Sequence, residues 1–260
     1  MKAALRALAL VAALWSGAAS AQGAGDGLRM DSPAMTEAEM TRDDVAAMLG
    51  GAAPADLSRR RLNGLDLSGL DFSGVNLRAA YLNGARFTDA RLTGAVLDQA
   101  WALGADFTGA DLGGASLFQT QFDGATMDGA NLDGAQAKAD FTAASLIGAS
   151  FRGADMSADM RNQSMGLMRG VLRSAKLRGA DFTGAKMSRA DLEFAKLQGA
   201  DLSNADLAMA TLGGADLTGA TVAGASFIDA DMASARLIDL KGAAPDSFAR
   251  AKNLDRALTR

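Results

Sequence analysis

From Ala80 to Ala135 every fifth residue is alanine, with Thr120 the single exception, and a larger apolar side chain follows two positions later. These partners run Leu82, Phe87, Leu92, Leu97, Phe107, Leu112, Leu117, Phe122, Met127 and Leu132, with Ala102 and Ala137 as small substitutes. The rule holds again from Ala175 to Ala235, with partners from Leu177 to Leu237. A period of five fits neither the 3.6 of a helix nor the 2.0 of a flat strand. Residues two apart on an extended chain share a face, so each alanine and its partner point inward and the residue between them points outward. The remaining two, commonly Ser/Thr and Gly, suit a corner, where glycine relieves the steric limits of a turn. A chain that turns the same way after each five-residue side winds into a coil, and a narrow interior explains the alanine.

The units Ala105-Asp106-Phe107-Thr108-Gly109 and Ala200-Asp201-Leu202-Ser203-Asn204 resemble the A-(D/N)-L-x-x consensus of the pentapeptide-repeat family, over about Asp56 to Leu240. The resemblance implies an all-β solenoid: a right-handed quadrilateral β-helix with four units per coil. Between Leu62 and Leu237 there is room for about nine coils, on the order of 43 Å at ~4.8 Å per strand spacing. Short helical caps are expected at both ends. TRDDVAAMLGG supplies Thr41 as an N-cap, acids in the first turn and apolar Val45, Met48 and Leu49. PDSFARAKNLDRAL puts Phe248, Ala251, Leu254 and Leu258 near helical spacing. Leu65, Leu70 and Val75 occupy the small position of the first units, so that terminal coil is filled differently. The resulting division is 1–21 leader, 22–55 linker and capping helix, 56–240 β-helix, and 241–260 C-terminal cap. The resemblance also makes a homodimer through the C-terminal segment an expectation.

The register shifts twice. Core positions end in 2 or 7 up to Leu132, in 1 or 6 at Phe141, Leu146, Phe151 and Met156, and in 2 or 7 again from Leu167 and Leu172. One residue is therefore missing near Lys138, and the stretch MSADMRNQSMGLMRGV restores it. That stretch reads as a bulge-sized correction, with Met160, Met165 and Met168 as fillers of an irregular core.

The leading residues MKAALRALALVAALWSGAASAQ read as a secretory leader, with a basic start, a short apolar run and Ala19-Ser20-Ala21 as a cleavage pattern before Gln22. An uncleaved anchor is the rival reading, and the short run disfavours a transmembrane span. The expected location is periplasmic or secreted. The formal charge of −4 becomes about −6 without Lys2 and Arg6, which opposes direct nucleic-acid binding. With no His and no Cys, a Ser-His-Asp triad, a cysteine nucleophile and an ordinary zinc site are excluded. The aspartates recur at the outward position and read as a solvated face. Neither a calcium-binding nonapeptide pattern nor a phosphate loop is present. Asn162-Gln163-Ser164 matches only the short glycosylation motif. No catalytic, cofactor or metal residue is assigned, and an enzyme is not expected.

Charge is banded along the chain. Acids alone occupy 92–137 and 200–235, and a basic band of Arg161, Arg169, Arg173, Lys176, Arg178, Lys186, Arg189 and Lys196 lies between them. Such banding can steer a partner, although charge runs usually just face solvent. Apolar residues at outward or corner positions are the candidates for partner binding: Tyr81 and Trp101, stacked by the coil arithmetic, with Leu103 and Phe118 nearby. The alternative is that the N-terminal segment folds back over them. The reading is an exported, non-catalytic scaffold binding another protein or an envelope component. The alternative that the resemblance offers is a DNA mimic binding DNA gyrase or topoisomerase, which the leader and the basic band oppose.

Overall fold

The computed structural model describes residues 30–51, 55–158, 160, 168–244 and 246–260. The chain divides into two compact units, Met1–Met30 and Asp31–Arg260, and the second is described here. The leader at 1–21, and with it Arg161, Asn162-Gln163-Ser164, Met165 and Leu167, lie outside the described residues.

The five-residue period builds a four-sided coil. Parallel bridges join residues twenty apart, as in Arg61 to Tyr81, Tyr81 to Trp101 and Trp101 to Gln121. Around each rung the backbone alternates its partners. Trp101 N donates to Ala80 O below at 2.9 Å, and Leu82 N donates to Trp101 O above at 2.6 Å. The corner then closes on itself, because Ala85 N donates to Leu82 O at 3.0 Å. Gly84, third in that turn, has φ 62, the left-handed geometry that such a turn requires.

The outward residues form four columns. Side I runs from Arg61 through Tyr81, Trp101, Gln121, Asp140 and Val171 to Lys252. Side II runs from Asp66 through Arg86, Lys176 and Lys196 to Leu258, and side III from Asp71 through Asp111, Asp181 and Asp201 to Lys241. Side IV runs from Asp56 through Ser116, Asp155 and Lys186 to Ser226.

Inside, the alanines and their partners, the partly buried Ala225 excepted, are buried and form one continuous core. Seven phenylalanines, from Phe72 to Phe182, follow one another with ring centroids 4.8–6.0 Å apart. Thr120, the exception at the small position, is tolerated because its hydroxyl donates to Leu97 O at 2.8 Å.

At the N-terminal end, helix α1 (Pro33–Thr36) and helix α2 (Arg42–Leu49) cover the first coil. The Thr41 cap forms as its residues require: Asp44 N donates to Thr41 Oγ1 at 3.2 Å, and Thr41 N donates to Asp44 Oδ2 at 2.9 Å. Val45 enters the core, and Met48, Leu49, Leu65 and Leu70 pack against it. The large residues at the small positions of the first coil thus extend the core to meet the helix. Arg42 ties α2 down by donating to the carbonyls of Asp66 and Ser68 at 2.5 and 2.9 Å.

The C-terminal segment departs from its helical spacing. It holds only a 3-10 turn at Leu254–Arg256, preceded by Asn253 at φ 55. Strand-like pairing wins instead: Lys252 bridges to Asp231, Leu258 bridges to Arg236, and Phe248 stacks on Phe227 at 4.6 Å. The open edge of the last regular coil offers more backbone partners than a short isolated helix would satisfy.

The interruption is larger than a bulge. The missing residue is where the register places it, since Gln121 pairs with Asp140, 19 positions on. The next step, however, runs from Asp140 to Val171, a span of 31. Eleven residues beyond a normal coil therefore lie between Ala158 and Gly170. Eleven is two whole units plus one, so position modulo five shows only the one. The base is closed by Gly170 N donating to Met156 O at 2.8 Å. A Cβ at Gly170 would stand 2.7 Å from that of Met156, so glycine permits this approach. Met160 is exposed and Met168 half-buried, so neither fills the core as expected. Deleting 159–169 is expected to restore the regular twenty-residue step and leave the melting midpoint within about 4 °C, the equivalent of ~1 kcal/mol. Loss of the cooperative thermal transition would show that the segment is needed to hold the coil.

Candidate functional site

Side I carries the aromatic residues Tyr81 and Trp101 at its outward positions. Tyr81 and Trp101 are bridged neighbours, and both are half-buried, as are Leu103 and Phe118. Leu103 sits at the corner after Trp101, its N–H donating to Asn83 Oδ1 at 3.0 Å. Phe118 lies on side IV, where its N–H donates to Asp98 Oδ1 at 3.2 Å. Asp98 also accepts from Ser116 Oγ at 2.5 Å and pairs with Arg78 at 2.7 Å. Phe118 therefore stands at the corner between sides IV and I, next to Gln119, and outside the Tyr81–Trp101 column.

Among the described residues, the N-terminal segment folds over the lower part of this side. Asn63 Nδ2 donates to the carbonyls of Ala34 and Glu37, both at 3.0 Å, and Asn83 Nδ2 donates to Met35 O at 3.0 Å. The same two side chains form a ladder, with Asn63 Oδ1 accepting from Asn83 N at 3.0 Å. Met35 is buried there.

Above the strap lies a depression of about 370 Å³ whose lining includes Trp101, Gln99, Gln119 and Gln121. Met168 and Arg169, on the chain returning from the long excursion, also line it, together with Lys138 and Asp140. Gln99 and Gln119 stand one coil apart at the corner between sides IV and I, with φ 61 and 57. That corner carries no glycine at any left-handed position among the described residues: Arg59, Ala79, Arg189, Met209 and Asp229 occupy the others. Each costs about 1 kcal/mol against glycine. Gln99 Nε2 donates to Gln119 Oε1 at 3.4 Å, and Gln121 Nε2 donates to Gln119 O at 3.1 Å.

The charged lining groups are already partnered. Lys138 Nζ lies 2.8 Å from Asp155 Oδ2. Arg169 and Arg173 converge on Asp191 at 3.3 and 2.9 Å, and Arg173 also reaches Glu193 at 2.6 Å. Asp140 Oδ1 accepts from Thr142 N and Oγ1 at 2.9 and 2.6 Å.

The basic band is thus dispersed. Lys176, Lys196 and Arg178 are exposed on side II, Lys186 is on side IV, and Arg189 is at the glycine-free corner. Most outward aspartates are not merely solvated. In Asp106, Asp181 and Asp216, Oδ1 accepts both the N–H and the hydroxyl of the threonine two residues on, fastening the corner. These bonds outweigh burial and hold all three carboxyls below the usual range. Among the described residues no group of acids is arranged to hold a metal ion.

The glutamines escaped sequence reasoning because they depart from consensus one at a time. A period of twenty finds them, since Gln99 and Gln119 share a column, as do Trp101 and Gln121.

The profile of pentapeptide repeats matches residues 55–89, 71–102, 103–136, 137–158, 171–204 and 205–239, as eight copies. The chain belongs to the pentapeptide-repeat family. Among solved pentapeptide-repeat structures, HetL, involved in heterocyst differentiation regulation in the cyanobacterium Nostoc sp., is 28% identical. The match covers 83% of this chain and 92% of HetL, with a TM-score of 0.47. QnrB1, a plasmid-mediated fluoroquinolone resistance protein, is 20% identical over 75% of this chain and 86% of its own, with a TM-score of 0.43. A pentapeptide repeat protein of the Arabidopsis thaliana thylakoid lumen is 24% identical over 56% of this chain and 74% of its own, with a TM-score of 0.25. No curated protein matches the chain.

One carboxylate on side I stands apart from the other pentapeptide-repeat aspartates. Burial, and then the charge of Asp140, push the Asp123 carboxyl up to about 6. Raised above its unfolded value, this group favours the fold while protonated, and that contribution is lost as pH rises through about 6. Asp123→Asn is therefore expected to raise the melting midpoint at pH 8 and not at pH 4. Solvent screening limits the gain to at most about 2–4 °C. An equal shift at both pH values would sink this assignment.

Proposed function

We propose that the chain is an exported, non-catalytic scaffold that binds another protein or an envelope component through side I. The observation that carries this reading is the half-buried Tyr81–Trp101 pair beside the depression, in a coil whose outward residues are otherwise mostly polar. Aromatic residues set in a polar rim contribute most of the binding energy in many interfaces. The strap from Ala34 to Glu37 hydrogen-bonds Asn63 and Asn83, and neither asparagine lines the depression. Export rests on the leader-like residues 1–21. No helix among the described residues is long and apolar enough to cross a membrane. The last coil leaves Leu258 about half exposed, which supports a second copy docking at that end.

A second reading draws on side III, where Asp71, Asp111, Asp181 and Asp201 share a column. Such a column favours a mimic of the DNA backbone that binds gyrase or topoisomerase. Against it stand Arg91 in the same column and the exposed Lys176, Arg178 and Lys196 on side II.

The double substitution Tyr81→Ser/Trp101→Ser should keep the melting midpoint within about 4 °C. It should reduce capture of envelope components by the immobilised full chain about tenfold or more, the equivalent of ~1.4 kcal/mol. Undiminished capture would place the binding face elsewhere. Inhibition of DNA supercoiling by the purified chain would move the balance to the second reading.

A further inference from the structure

We infer that the side I depression is a binding site for a neutral carbohydrate, with Trp101 as the platform and Gln99, Gln119 and Gln121 as the hydroxyl-binding groups. The inference deepens the binding role proposed for side I and rests on it.

Size comes first. At about 370 Å³ the depression falls within the ~300–1,000 Å³ range of small-molecule sites. That volume matches a small-molecule site, whereas a protein interface of ordinary size spreads over a much broader area.

Chemistry narrows the ligand. A sugar ring has apolar C–H faces and a rim of hydroxyls, each both donor and acceptor. An indole presents a broad apolar surface that stacks on such a face. Primary amides, like hydroxyls, offer both a donor and an acceptor without charge, and their longer reach suits them to a sugar's hydroxyl rim. Three of them stand around this tryptophan, on adjacent coils. Two of the three, Gln99 and Gln119, hold left-handed φ values of 61 and 57, where glycine would be less strained.

Charge then discriminates between ligand classes. Lys138 is neutralised by Asp155 at 2.8 Å, and Arg169 shares Asp191 with Arg173. An anionic ligand would meet Asp140 and would have to compete with these carboxylates for the cations. A cationic ligand would meet Lys138 and Arg169 in the same wall. A neutral, polyhydroxylated ligand pays neither penalty. The charged groups can still accept or donate to hydroxyls with their remaining lone pairs and protons.

The test is saturation-transfer NMR and calorimetry on the full chain with chitotetraose, cellotetraose and maltotetraose as neutral probes. A heparin tetrasaccharide serves as the charged probe and an uncharged Gly-Ser peptide as the control. The expected result is binding of at least one neutral tetrasaccharide, weakened about tenfold by Trp101→Ala and about fivefold by Gln121→Ala, the equivalents of ~1.4 and ~1 kcal/mol. Gln121→Ala lies outside the core, so it keeps the test valid should Trp101→Ala unfold. Binding of none of the neutral probes, or equal binding by both variants and the wild type, overturns the inference. Preference for the heparin probe or the peptide overturns it as well. If saccharides fail while Tyr81→Ser/Trp101→Ser still abolishes capture of an envelope component, only the carbohydrate inference falls and the binding face stands.

Discussion

Each coil depends on backbone partners in the coils above and below it, as the N–H groups of Tyr81, Leu82 and Gly84 find theirs at Arg60, Trp101 and Leu103, and this pairing sets the rest of the structure. Leu82 N reaches up to Trp101 O, and Trp101 N reaches down to Ala80 O, within 2.6–2.9 Å. A buried group left unpaired costs about 1–3 kcal/mol, so the ladder tolerates no slippage along a side. Rungs at the ~4.8 Å strand spacing leave room inside for one alanine and one larger apolar residue per side. The left-handed corner follows from the same need, since the chain must turn quickly enough to bring the next side under its own partner.

Much of this was readable because the repeat states each requirement many times. Inward alternation and the missing residue near Lys138 follow from single positions measured against a strong period, and the Thr41 cap follows from the acids in the turn after it. The length of the second interruption was hidden, because eleven residues and one residue leave the same remainder after division by five. Only the pairing of Asp140 with Val171 separates them. The C-terminal helix was misread for a related reason. Phe248, Leu254 and Leu258 are spaced for a helix, but the open edge at Asp231 and Arg236 competes for the same backbone. Local spacing carries no information about a neighbouring edge.

The candidate surface was half visible. Tyr81 and Trp101 stand out as aromatic residues in a polar position, and the bridge between them is as the twenty-residue step implies. The amides around them are ordinary one by one and meaningful only as columns. The charge bands, conversely, looked more coherent along the chain than they are in space. Coiling distributes Lys176, Lys186 and Arg189 onto different sides or corners, and Asp191 absorbs Arg169 and Arg173. The corner-fastening hydrogen bonds of Asp106, Asp181 and Asp216 likewise give those carboxylates a structural task that an outward position alone does not reveal.

The step from Asp140 to Val171 also bears on how such a fold can change over generations. Closing a span of 31 residues rather than 20 costs only about 0.4 kcal/mol more in chain entropy. The rungs on either side keep their partners, and the close approach of Gly170 to Met156 seals the junction whatever lies beyond it. The coil is thus nearly indifferent to how much chain is inserted there. A repeat that forbids variation along its sides thus has, at this junction, a place where added chain costs the scaffold little.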